Sequence, residues 1–223
     1  MDWTRHVDGY CERIDPSFWA EPVNAITNAA FLVAALVMAR RLRGNHLPLA
    51  WALVGLVALI GIGSFLFHTY AQPWAGAADV IPIVLFILVY IFAASRDFLG
   101  LSTLWSLGVV LAFLPTAALL IPVMRMVPIL GVSAGYLPVP LMILIYAALL
   151  RGQPALSRGL AIGAGLLLVS LTFRSLDMRL CAAVPLGTHF AWHILNGIML
   201  GWMIEVYRRH AGRPGLARAA GQS

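Results

Sequence analysis

The chain of 223 residues contains no lysine, only two cysteines, and charged side chains at just 11% of its positions. Ordinary soluble domains carry roughly 25% charged residues, so a water-exposed globular protein is excluded. Hydrophobic residues make up 61%, and apolar stretches follow one another from about Asn24 to Tyr207 with only short polar breaks. One membrane domain absorbs nearly the whole chain. The basic excess, 15 against 9, is all arginine. No Arg-rich stretch interleaves with aromatics, which argues against nucleic acid as a partner. The arginines sit instead in the gaps between apolar runs, as topology signals do. Also missing is an apolar segment behind a basic start, so no cleavable signal peptide is predicted. There is no convincing internal repeat and no low-complexity linker.

Apolar runs bounded by charge, Gly or Pro predict seven transmembrane helices, over residues 24–41, 48–68, 79–95, 101–121, 128–149, 159–174 and 188–207. The fold class is therefore an all-α integral membrane protein. Residues 1–23 form a polar acidic N-terminal segment, 24–210 the membrane domain, and 211–223 a cytoplasmic tail expected to be disordered. Pro115, Pro122, Pro128, Pro138 and Pro140 interrupt the fourth and fifth runs. Alternate connections hold ten arginines on one side (40, 41, 43, 96, 151, 158, 208, 209, 213 and 218) and five on the other (5, 13, 125, 174 and 179). Positive residues in short loops stay cytoplasmic, which puts the N-terminus outside and the C-terminus inside. Cys11 and Cys181 then both lie outside, where disulfides persist. The choice is between one bond tying the N-terminal segment to the sixth connection and two unrelated thiols.

Ionisable residues inside membrane helices are costly and mark functional sites. Ser64 and His68 stand at i, i+4 near the end of the second predicted helix, Asp79 at the start of the third, and His189 and His193 at i, i+4 at the start of the seventh. Because the second helix runs outward while the third and seventh run inward, all five fall at one depth near the outer face. Three imidazoles with an open position are a catalytic zinc arrangement. Asp79 can serve as general base and acid, and Ser64 can hold water or a developing oxyanion. The bland reading is a set of interfacial or hydrogen-bonded histidines. Haem, a rival use of facing histidines, leaves Ser64 and Asp79 unexplained. A transporter is disfavoured because the polar cluster lies near one face.

Three blocks carry a family resemblance. They are Tyr10-Cys11-Glu12 followed by Trp19 to Asn28, then Gly63-Ser64 with His68 and Asp79, then His189 to His193. In this order and at these spacings the chain resembles the alkaline ceramidases, within the seven-helix membrane hydrolases that include the progestin and adiponectin receptors. The resemblance implies zinc on His68, His189 and His193, with Ser64 and Asp79 as the catalytic residues beside it. It implies hydrolysis of the amide of ceramide or a related N-acyl lipid to fatty acid and sphingoid base or amine. It also implies a Cys11–Cys181 disulfide and a calcium site in the N-terminal segment. There Glu12 and Glu21 match, Asp8 lies one residue from the family's acidic position, and Asp15 stands in for the oxygen that Ile14 does not offer. The alternative for these acids is a solvated tail.

Arg174, Asp177 and Arg179 could contact a lipid head group, but they read rather as interfacial anchors paired among themselves and are not assigned to the site; Trp74, Trp192 and Trp202 read as interfacial or packing aromatics. The partners expected are the bilayer and a membrane lipid substrate; no protein partner is legible. A lipid receptor or binding protein with a structural zinc and no turnover is the alternative function. A Lys-free chain of this size points to a bacterial source with a GC-rich genome, hence an inner membrane with the polar cluster toward the periplasm.

Overall fold

In the computed structural model, which describes residues 2–211, every regular element is helical. The expected cytoplasmic tail, apart from Ala211, lies outside the described residues, as do Arg213 and Arg218. The helices are α1 (Pro22–Thr27), α2 (Ala29–Arg41), α3 (Pro48–Tyr70), α4 (Pro73–Asp97), α5 (Thr103–Met124), α6 (Pro138–Leu149), α7 (Pro154–Leu180) and α8 (His189–Ala211). A short 3₁₀ turn, Leu130–Ser133, precedes α6. Proline opens α1, α3, α4, α6 and α7, where its fixed φ suits the helix and its missing N–H is not needed.

Among the described residues, five helical segments are long and apolar enough to cross a membrane: Pro22–Arg41 (α1 with α2), α3, α4, α5 and α7. Helix α8 has the length, 23 residues, but His189, His193, Asn196 and Glu205 dilute its hydropathy. Helix α6 is the main departure from the predicted spans. Only 12 residues of the apolar run 128–149 are α-helical, about 18 Å at 1.5 Å per residue against the ~30 Å of a bilayer core. Pro138 and Pro140 fall in the first turn of α6, where a missing N–H is tolerated. Pro115 and Pro122, by contrast, lie within an unbroken α5. Beside Pro115 the Thr116 hydroxyl donates to the Ala112 carbonyl at 2.8 Å, a back-bond one turn away that helical Thr commonly makes.

The helices form a ring in chain order. Helix α2 packs on α3, α3 on α4, α4 on α5, α6 on α7 and α7 on α8, while α8 returns to close on α2. The α5–α6 seam is the sparsest. Large apolar side chains face outward around the ring, among them Leu104, Leu111, Leu119 and Val123 of α5. In water such a surface would be a liability; against lipid it is the expected exterior. At the end where α2 meets the close of α8, buried Glu205 pairs with Arg41, Arg208 and Arg209. Inside the ring is an apolar, partly open cavity lined by Ile60, Phe86, Tyr90, Tyr136, Trp192 and Met199 among others. Residues 2–21 cover the opposite end of the ring, held by the Val7 amide on the Ala71 carbonyl, 2.8 Å, and by a Cys11–Cys181 disulfide with Cα atoms 5.4 Å apart.

Candidate metal centre

His68 lies in the last turn of α3, and His189 and His193 open α8. All three are buried. Their ring centroids are 5.1 Å (68 to 189), 4.7 Å (68 to 193) and 4.6 Å (189 to 193) apart. One donor atom from each lies within 4.8 Å of the others, the only such group of His, Cys, Asp or Glu among the described residues.

The hydrogen bonds around these rings decide what the free nitrogens can do. His68 Nδ1 is 2.6 Å from Glu21 Oε2. Its proton therefore points to the carboxylate and Nε2 keeps a lone pair. The Thr27 hydroxyl donates to the Val23 carbonyl at 2.7 Å, so Thr27 Oγ1 accepts from His193 Nδ1 at 3.0 Å and leaves Nε2 of that ring as an acceptor too. Buried polar atoms almost always have partners, yet His68 Nε2, His193 Nε2 and His189 Nδ1 have none. Three buried, unpartnered imidazole nitrogens at one point, two with an outer hydrogen bond fixing the tautomer, fit a metal ion. A three-nitrogen donor set suits zinc.

Ser64 is buried one turn before His68. The expected convergence of Ser64 with Asp79 rests on a glycine. A Cβ at Gly63 would collide with the Ala78 carbonyl and come within 2.9 Å of the Asp79 amide, so α3 and α4 approach closely here because Gly63 has no side chain. The Asp79 carboxylate is flanked by the Ser64 hydroxyl and lies within electrostatic reach of His68. It is half-buried. Helix α4 begins at Pro73 rather than at Asp79, because proline suits the first helical position. Asp79 thus stands nearly two turns inside.

The N-terminal acids do not come together as an oxygen cage. Asp8 and Asp15 are exposed, and the Asp15 carboxylate accepts from the Ser17 amide at 2.7 Å. Both Glu12 oxygens accept backbone N–H groups at the start of α1, from Val23 at 2.7 Å and Asn24 at 2.8 Å. Glu21 is taken by Arg13 Nε at 2.5 Å, His68 Nδ1 and Asn24 Nδ2. The residues therefore do not fit calcium: the cation among them is the buried guanidinium of Arg13. It also donates to the carbonyls of Asp15, Ser17 and His68, the last at 3.0 Å. Burial alone would raise the Glu21 carboxyl, but the hydrogen bonds from His68 and Arg13 outweigh it and hold Glu21 below the usual carboxylate range.

Other contributors were not assigned to the site from the sequence. Tyr10 stacks on His189 with ring centroids 3.9 Å apart, roofing the histidines. Asp177, read from sequence as an interfacial anchor, is buried. Its Oδ1 accepts from the amides of Thr188 (2.7 Å) and His189 (2.9 Å), and its Oδ2 from that of Cys11 (2.9 Å). An acceptor and a negative charge at a helix start are favourable, and this one sets where His189 begins α8. Gly187 makes room: its φ of 67° and a clash of any Cβ with Asp177 Oδ1 both require glycine. The signal was faint, since Asp177 lies eleven residues or more from the amides it caps in α8. Replacing Asp177 by Ala strands three N–H groups at roughly 1 kcal/mol each, a loss of about 3 kcal/mol. Asp177→Asn, which keeps one oxygen, costs less. Thermal unfolding in detergent measures both, and an unchanged melting temperature for the Ala variant would refute the role.

Comparison with curated proteins finds no match. The sequence profile of the ceramidase family matches residues 9–210, taking in the Arg13–Glu21 pair, Ser64, Asp79 and all three histidines, and the chain belongs to that family.

Proposed function

We propose that this protein is a zinc-dependent membrane amidase that hydrolyses the amide bond of ceramide or a related N-acyl lipid to a fatty acid and a sphingoid base or amine. One observation carries the reading. Three buried histidines with unpartnered ring nitrogens sit beside Ser64 and Asp79, and Trp192, between two of them in α8, lines the apolar cavity. Family membership supports the lipid substrate. The apolar cavity takes the acyl chain, which sets the amide near the histidines.

Zinc on three imidazoles supplies Lewis acidity toward a carbonyl and toward water. The protein's own groups do the rest. Glu21 and Thr27 hold His68 and His193 in the tautomers that present Nε2 inward. Asp79 takes a proton from the attacking water and delivers it to the departing amine nitrogen, and the Ser64 hydroxyl steadies the carboxylate or the developing oxyanion. Tyr10 limits water entry from above; burial raises its phenol well above the usual range, so it stays neutral. A lipid-binding protein with a structural zinc would leave Asp79 and Ser64 without a task.

We further propose seven membrane crossings, with α6 as a partial one, the metal centre toward the outer face and the Glu205–arginine cluster toward the cytoplasm. In a bacterium the outer face is periplasmic, where the disulfide would persist. Purified protein should release fatty acid from N-acyl lipids by mass spectrometry, lose that activity to a chelator and regain it with zinc. Release from ester lipids alone would overturn the amidase assignment.

A further inference from the structure

Arg174 has no acidic partner. Among the described residues no carboxylate lies within 4.0 Å of its guanidinium, and its one hydrogen bond runs from Nη1 to Ser133 Oγ at 3.0 Å. Nor does it extend outward as an interfacial anchor would. It is half-buried, with the guanidinium carbon 5.2 Å from the Tyr136 ring centroid and 6.0 Å from that of Trp192. These two rings lie 5.4 Å apart and both line the apolar cavity. Trp192 also stands between His189 and His193 in α8. The cation is close enough for its charge to bear on Asp79 and Tyr10. A partly desolvated guanidinium with most of its five N–H groups unspent is costly unless an anion meets it, and its planar fork matches carboxylate and phosphate.

We infer that Arg174, held over Tyr136 and Trp192 at the mouth of the cavity, binds an anionic group, carboxylate or phosphate, on the head portion of the N-acyl substrate. The scissile amide is neutral, so the charge must come from elsewhere on the lipid. This rests on the amidase reading, and the substrate class it names is an acidic N-acyl lipid rather than a neutral ceramide.

The test uses the full chain in detergent with N-acyl lipids that share one acyl chain and differ in the head: a neutral alcohol, a carboxylate or a phosphate. Wild type should favour at least one acidic head by about tenfold in kcat/KM, the worth of one charge-assisted hydrogen bond. The two acidic arms tell carboxylate from phosphate. Arg174→Gln should collapse that preference, chiefly by raising KM for the acidic lipid, and Arg174→Lys should restore part of it. In parallel, Trp fluorescence should report tighter binding of an alkyl carboxylate or alkyl phosphonate than of the alkyl alcohol of equal length, lost in Arg174→Gln. If no N-acyl lipid is cleaved, the amidase reading fails while the binding arm still decides Arg174. Equal handling of neutral and acidic lipids by wild type, or a uniform loss in Arg174→Gln, would overturn the inference. So would a change confined to inhibition by the fatty acid product.

Discussion

Asp79→Asn should lower turnover of an N-acyl lipid by about 10²- to 10⁴-fold, the usual worth of a positioned general acid–base, while leaving zinc content unchanged. Asn is nearly isosteric with Asp and keeps a hydrogen-bonding oxygen for Ser64, so the fold at the Gly63 contact is preserved. What it cannot do is carry a proton from water to a leaving amine. His68→Ala, His189→Ala and His193→Ala should behave differently. Each removes one of three inward nitrogens, so zinc content falls from about one per chain to background along with activity. Metal analysis of the purified variants beside a lipid assay separates the two classes. Full activity and undiminished zinc in any His variant would sink the mechanism, and an Asp79→Asn variant as active as wild type would remove Asp79 from the proton transfers; only a wild type that cleaves no lipid would return the protein to a binding or receptor role.

The second large effect concerns the buried Arg13–Glu21–His68 chain. Arg13 and Glu21 side chains are only 1% and 3% exposed, and breaking a buried pair by removing one partner costs about 3 to 5 kcal/mol. Arg13→Met leaves the Glu21 carboxylate with His68 and Asn24 alone, and frees the Asp15, Ser17 and His68 carbonyls. Glu21→Ala does more. It strands the guanidinium and also releases His68 Nδ1, so zinc affinity should fall about 10- to 100-fold, as when an outer hydrogen bond to a metal-ligating His is lost. A metal-competition titration reads that drop apart from the loss of thermal stability. The double variant Arg13→Met/Glu21→Gln should recover part of the stability, because neither charge is then left alone. Added calcium should leave the melting temperature of the wild type unmoved, since Arg13 already fills the cation's place; a rise of several degrees would contradict this.

Composition sufficed for the helical membrane architecture because hydropathy is a property of consecutive residues, and it placed the helix start at Pro48, whereas α4 and α7 open at Pro73 and Pro154, six and five residues before the apolar runs read from the sequence. It failed at α6, where an apolar run of ordinary length is broken by prolines whose consequence depends on whether they fall in a first turn. It also stopped α7 too early. Asp177 looked like an interfacial residue, and only its three amide donors from other segments make burial tolerable and let the helix run on to Leu180.

The candidate site divides in the same way. His68, His189, His193, Ser64 and Asp79 could be picked from the sequence alone, because ionisable residues stand out in apolar helices and i, i+4 spacing puts two of them on one face. The sequence could also place them at one depth by counting crossings. It could not tell that Glu21 serves His68 rather than calcium, that Thr27 sets the tautomer of His193, or that Asp177 starts α8. Those partners lie 47, 166 and 12 residues apart in the chain. Which nitrogen of a histidine is left bare, and which acid meets a buried arginine, are decided only when the ring of helices closes and the N-terminal segment folds over its end. Hydrogen bonds are made between atoms about 3 Å apart in space, and distance along the chain says little about that.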